Sequence, residues 1–199
     1  MTVMQIAVDG EQVAAVDLTR MTMFAVHLNG DLTRADTASL SCHGGTYPDD
    51  GPSTFRIWVE QVLAGPDHRV TVTLADSMPA GQLTQGKTLD ELYPDEPRCQ
   101  RTDFTPTAAE AGQMHSRPHV RTGFSWALHT PAGEHRQGRN GPGDDSFGFS
   151  VLWISDRPGQ ARVRGSTTNI DNVLRREPGT ELYAGSLDVG GSVTFRCGH

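Results

Sequence analysis

Eight histidines among 199 residues make metal binding the first chemistry to weigh. His115 and His119 stand four apart, a spacing that puts two ligands on one helix face, with His129 and His135 downstream and Cys99 upstream. Pro118 directly precedes His119 and disfavours a regular helix there. These side chains therefore read as solvated loop histidines, and neither a metal nor a cofactor is expected. The carboxylate pairs Asp49-Asp50 and Asp144-Asp145 lie in glycine-containing loops, where aspartates can hold calcium. Neither has the alternating ligand spacing of a calcium loop, so turn formation is the expected role.

Nucleophilic catalysis finds no better footing. A hydrolase needs a nucleophile held by a base beside an oxyanion hole, and no GxSxG elbow occurs. Cys42 and His43 are adjacent, and neighbours on a strand point to opposite faces, so they form no dyad. The glycine-rich run Gly138 to Gly143 lacks the Lys-Ser/Thr of a phosphate-binding loop and leads toward a strand, so it reads as a hairpin loop. Three cysteines, Cys42, Cys99 and Cys197, are odd in number and far apart, which fits free thiols in a reduced compartment rather than a disulfide framework.

The elements that would position any site are strands. Hydrophobic residues at 36% with 22 Gly and 12 Pro describe a polar, turn-rich chain. Met4, Ile6 and Val8 alternate before Asp9-Gly10, and Val13 to Leu18 returns the chain as a hairpin. Phe24, Val26 and Leu28 alternate before Asn29-Gly30, which predicts a tight turn and a return strand from Ala38 to Cys42. Ser41 to Ser53 reads as a loop, Phe55, Ile57 and Val59 as one apolar face with Trp58 on the other, and Val70 to Leu74 as a strand after a turn at residues 64–67. From Asp76 to Thr122 prolines at 79, 94, 97, 106 and 118 break the pattern. Within it, Thr88 with Glu91 and Thr107 with Glu110 have the capping-box spacing of two short helices. Alternation resumes at Phe124, Trp126 and Leu128, turns at Pro131 to Gly133, and continues through Phe147 to Ile154 and Ala161 to Thr168. A helical turn from Asn169 to Arg176 and strands at Glu181 to Ala184 and Ser192 to Cys197 complete the chain.

The halves look related. Phe24 to Leu28 matches Phe124 to Leu128, each half has a later Trp strand at Trp58 or Trp153, and each closes on a leucine, a glycine turn and Val70-Thr71-Val72 or Val193-Thr194-Phe195. The expected architecture is all-β: two related, sandwich-like antiparallel modules at 1–75 and 121–199, joined by an irregular segment at 76–120 with short helices. Phe24, Val26, Ile57, Val72, Phe124, Trp126, Val151 and Phe195 should be buried.

A net charge of −7 disfavours nucleic acid and anionic membranes as partners and permits a basic protein. The N-terminus has no basic region, with Asp9 and Glu11 arriving before any signal-length apolar run, and no stretch approaches the roughly 20 residues that span a bilayer, so a cytoplasmic location is expected. The L-x-x-G-x-x-V-T ending of each half, with the Trp strand before it, resembles small uncharacterised bacterial β proteins of the toxin-immunity type. That resemblance implies a non-catalytic protein that sequesters a basic toxin. The candidate contact residues are loop decorations on equivalent ends of the two modules: Tyr47, Asp49 and Asp50 in one half, Arg136, Arg139, Asp144 and Asp145 in the other, with Tyr47 as anchor and the aspartates as steering rim. A carbohydrate or small-ligand module and an enzyme with an unrecognised site are the alternatives.

Overall fold

A computed structural model describes residues 1–34, 38–63, 67–97 and 105–198. Twelve strands form two six-stranded antiparallel sheets. In chain order they are β1 (Val3–Val8), β2 (Glu11–Asp17), β3 (Met23–Asp31), β4 (Ala38–Thr46), β5 (Thr54–Leu63), β6 (His68–Ala75), β7 (Ser125–His129), β8 (His135–Arg139), β9 (Ser146–Ile154), β10 (Gln160–Thr168), β11 (Thr180–Asp188) and β12 (Ser192–Gly198). The first sheet runs β2-β1-β6-β12-β7-β8 and the second β11-β10-β9-β3-β4-β5. Among the described residues three α-helices, α1 (Leu89–Leu92), α2 (Ala108–Ser116) and α3 (Ile170–Arg175), and a short 3-10 turn at Ala80–Gln82 lie in the connections. Both capping boxes form at Thr88/Glu91 and Thr107/Glu110 as their spacing requires, and Asn169 caps α3 through its side chain.

The all-β expectation holds, and the halves are woven rather than set side by side. Each half gives three strands to each sheet in the same sequence: a hairpin to the first sheet, a three-strand meander to the second, and a last strand that returns beside the hairpin. Halves meet where β6 pairs with β12 and β3 with β9. At the first junction Thr71 lies opposite Thr194, their hydroxyls 3.0 Å apart, with Val72 opposite Val193 and Val70 opposite Phe195. This is the pairing expected of a duplicated V-T-V/F strand crossing its own copy about a twofold. The topology corrects the strand equivalences, however. It matches β7 to β1 and β9 to β3, so Phe124 to Leu128 is not the counterpart of Phe24 to Leu28, nor the Trp153 strand of the Trp58 strand.

One hydrophobic cluster fills the space between the sheets and draws on both halves. Phe195 of the first sheet stacks on Phe149 of the second with ring centres 4.8 Å apart. Phe24, Val26, Val72, Phe124, Val151 and Phe195 are buried, whereas Ile57 and Trp126 remain half-exposed near the sheet edges.

Three local expectations change. Asn29 and Gly30 are not a turn but continue β3, because β9 from the other half pairs along its whole length, Asn29 with Gly148 and Gly30 with Phe147. The chain turns after Asp31 instead, whose carboxylate accepts from the Thr33 N–H at 2.8 Å and hydroxyl at 2.6 Å. Residues 41 to 46, expected in a loop, belong to β4. Their glycines permit close backbone approach: a Cβ on Gly44 would lie 2.5 Å from the Met23 carbonyl oxygen, and one on Gly45 would overlap the Thr54 carbonyl. Finally, Arg136 and Arg139 lie on β8, a strand without apolar alternation to announce it. The turn expected at residues 64–67 falls mostly outside the described residues, as does Cys99.

Candidate functional site

The loop residues singled out from sequence do not assemble on one face. β4 ends where Gly45 pairs with Met23, and Met23 also pairs with Ile154, so Tyr47, Asp49 and Asp50 sit at that end of the second sheet. Asp145 immediately precedes Ser146, which pairs with Asp31 at the opposite end. The nine residues of β9 separate the two loops by about 26 Å at a rise of about 3.3 Å per residue. They are not equivalent loops: Tyr47 to Asp50 join β4 to β5, whereas Asp144 and Asp145 join β8 to β9, whose first-half counterpart is the β2–β3 connection. The Tyr47 N–H donates to the Thr22 hydroxyl at 2.9 Å and its side chain is exposed.

Asp144 and Asp145 serve the backbone. Asp144 accepts from the Gly141 N–H at 2.8 Å, closing its turn. Asp145 accepts from the Ile170 N–H at 2.9 Å, fixing the start of α3, and lies 3.3 Å from His119 Nε2. His115 faces a different carboxylate, Asp171, at 3.5 Å. Among the described residues no group of three His, Cys, Asp or Glu could hold a metal ion. Cys42 and Cys197 are buried free thiols whose burial pushes them up to about 12, so neither is a nucleophile at neutral pH.

A second cluster lies on the outer face of the second sheet. His27 and His43 stack with ring centres 5.1 Å apart, and Phe55 continues the line 5.5 Å beyond His43. Burial holds both imidazoles below the ordinary histidine value, and for His27 repulsion from His43 adds to it. Since the unfolded chain then binds more protons, the neutral pair's contribution to stability is complete above the ordinary value of 6.5 and is lost as pH falls below it. The melting temperature should therefore drop between about pH 7 and about pH 5, and His27→Gln with His43→Gln should flatten that slope. An unchanged slope in thermal melts of the double variant would show that the pair does not carry the effect. Beside these rings a hollow of about 430 Å³ is lined by His27, Asn29, Ser150, Arg164, Ser166 and Glu181.

The third cluster was not anticipated, although its sequence signal was visible. After β6 the chain crosses from one sheet edge to the other. Thr84 takes hydrogen bonds with Ala15 of β2, its N–H donating to the Ala15 carbonyl at 2.7 Å and its hydroxyl accepting from the Ala15 N–H at 3.0 Å. Its carbonyl accepts from Trp58 Nε1 at 3.0 Å, and Lys87 exchanges two 2.8 Å hydrogen bonds with Ile57 of β5. This strap closes the β2/β5 side of the sandwich and delivers α1 beside β5. There the Tyr93 hydroxyl donates to the Glu60 carboxylate, a hydrogen bond that raises the phenol above its usual range, with desolvation and the Glu60 charge adding to it, and Glu91 approaches Arg56 at 3.9 Å. A hollow of about 560 Å³ opens between Phe55, Thr88, Leu89 and Asp90.

No family model, curated protein or solved structure matches the chain.

The chemistry of the α1 face must therefore be argued from its side chains. Leu89 is 50% exposed, Val62 48% and Tyr93 37%, Leu89 and Tyr93 lying on and just after α1, which packs beside β5, the strand that carries Val62. Val62 and Glu60 share the outward side of β5, two residues apart. Between Thr88 and Pro97 the chain carries Asp90, Glu91, Asp95 and Glu96 and no basic residue. Exposed apolar side chains beside a run of carboxylates make a surface that can bind. Among the described residues no helix is long and apolar enough to cross a membrane.

Proposed function

We propose that this chain is a non-catalytic binding protein that captures a basic protein partner, as an immunity protein captures a toxin, and that it does so with the α1/β5 face. The observation that carries this is the coincidence of exposed Leu89, Tyr93 and Val62 with four carboxylates on a ten-residue segment. Exposed apolar side chains ringed by charge mark protein-binding surfaces, and the acidic rim steers a cationic surface toward them. The net charge of −7 reinforces that steering. The terminal loops support the reading less well, because they lie at opposite ends of the second sheet.

The test is co-purification with a basic protein encoded beside this one, followed by kinetics. Tyr93→Ala with Leu89→Ala should weaken the complex at least about tenfold through faster dissociation, while Asp95→Asn with Glu96→Gln should slow association and flatten its salt dependence. Asp49→Asn with Asp50→Asn should change little. A complex indifferent to both α1 variants, or one whose partner is acidic, would exclude this face. The polar hollow beside His27 favours a second reading, a small-ligand or carbohydrate module. An oligosaccharide that shifts the His27 and His43 resonances would support that reading instead.

A further inference from the structure

Away from both surfaces, a cleft of about 420 Å³ lies on the outer face of the first sheet. Strand register explains its shape. Arg196, Ala127 and Gln137 form one row across β12, β7 and β8, and Gly198, Ser125 and Arg139 form the next. Alternate residues share a face, so the central strand offers only the small side chains of Ser125 and Ala127, while its neighbours offer long polar ones. The result is a low floor between two walls. Those walls stand two inter-strand spacings apart, about 10 Å.

The walls are cationic on a chain whose net charge is −7. Arg196 is held from one side by Asp67 at 3.0 Å. Arg139 has no hydrogen bond or ion pair among the described residues, and its row faces the same floor. Gln137 adds an amide that can donate. A guanidinium presents a planar fork that matches a carboxylate or a phosphate bidentately, and two such forks on walls about 10 Å apart fit a small ligand with an anionic group at each end.

We propose that this cleft binds a small dicarboxylate, Arg139 with Gln137 gripping one carboxylate from the β8 wall and Arg196 the other from the β12 wall, over the Ser125/Ala127 floor. The site is separate from the α1/β5 face and does not rest on the partner reading. Trp126 borders the cleft through its backbone, its indole packing on Phe149 on the other side of the sheet.

Glutarate is the probe, with acetate and inorganic phosphate as comparisons, and backbone amide resonances as the readout. Glutarate should give saturable shifts confined to β7, β8 and β12, at least about tenfold tighter than acetate, since a second bidentate contact is lost in the monoacid. Arg139→Gln should weaken glutarate by at least about tenfold while the remaining resonances stay in place, because Arg139 is exposed and supports no packing. Absence of saturation at millimolar glutarate, equal binding by Arg139→Gln, or phosphate binding as tightly as glutarate would each overturn the assignment.

Discussion

Phe149→Ala should destabilise the protein by about 4 kcal/mol, near the upper part of the range for losing a buried phenylalanine. Phe149 is 1% exposed and touches aromatic rings from both sheets: Phe195 at 4.8 Å, Phe147 at 5.9 Å and Trp126 at 6.2 Å between centres. Its strand is hydrogen-bonded to β3 on one side and β10 on the other, so the backbone cannot collapse into the void. Across β10, Gly165 leaves room for the ring: a Cβ there would come within 2.6 Å of it. Urea denaturation measures the loss. It also tests how the halves cooperate, because amide resonances of β3 and of β10 can be followed in the same protein as probes of the first and second halves. With one core shared by woven sheets, both sets should report the same midpoint, and Phe149→Ala should move them together. A loss below about 1.5 kcal/mol, or midpoints that separate, would mean the halves hold their cores independently.

What could be read from the sequence was whatever depends on a few adjacent residues. The Asp9-Gly10 hairpin formed with both residues at positive φ, 53° and 90°, and both capping boxes formed at their predicted threonines. The relatedness of the halves was visible in their last strands, where Thr71 and Thr194 now lie opposite each other. What could not be read was decided by partners distant in sequence. Asn29-Gly30 is a strong turn signal in isolation, and β9, more than a hundred residues later, overrides it by supplying a full ladder. The edge strand β8 (HRQGR) has no buried face to impose alternation, so its two arginines looked like loop residues. The site expectation failed to assemble for a related reason: it treated as equivalent two loops that join non-corresponding strand pairs, β4–β5 and β8–β9, and that lie at opposite ends of the second sheet. Capping at Thr88 was legible. That the strap from Thr84 to Lys87 would pin this short helix beside β5, and so gather Leu89, Tyr93 and four carboxylates, depended on hydrogen bonds to Ala15, Ile57 and Trp58 that no local pattern encodes.

Gly86→Val should release that strap while leaving most of the sandwich folded. A Cβ at position 86 would come within 2.6 to 2.9 Å of three atoms of the Trp58 indole, and valine's further methyl groups would deepen the clash. The indole has little room to retreat, since Trp58 packs edge-on against buried Phe24 with centres 5.4 Å apart and donates to the Thr84 carbonyl. The strap is the softer side. It is held to β5 by the two Ile57/Lys87 hydrogen bonds, the Arg56 donation to the Gly86 carbonyl at 2.8 Å and the Trp58 donation, whereas the strands beneath are held by full ladders and the core. Local opening therefore costs less than global unfolding. Amide exchange at Ile57 and Lys87 should accelerate by at least about a hundredfold, equivalent to about 2.7 kcal/mol of lost protection, with core amides such as Val151 changing far less. Tryptophan emission should shift to the red as Trp58 meets water. Because α1 leaves β5 with the strap, capture of a basic partner should fall together with this protection if the α1/β5 face is the one used. Gly86→Val protein that exchanges Ile57 and Lys87 as slowly as the parent would show that the strap tolerates the clash, and full partner binding by a variant whose strap is open would move the site elsewhere.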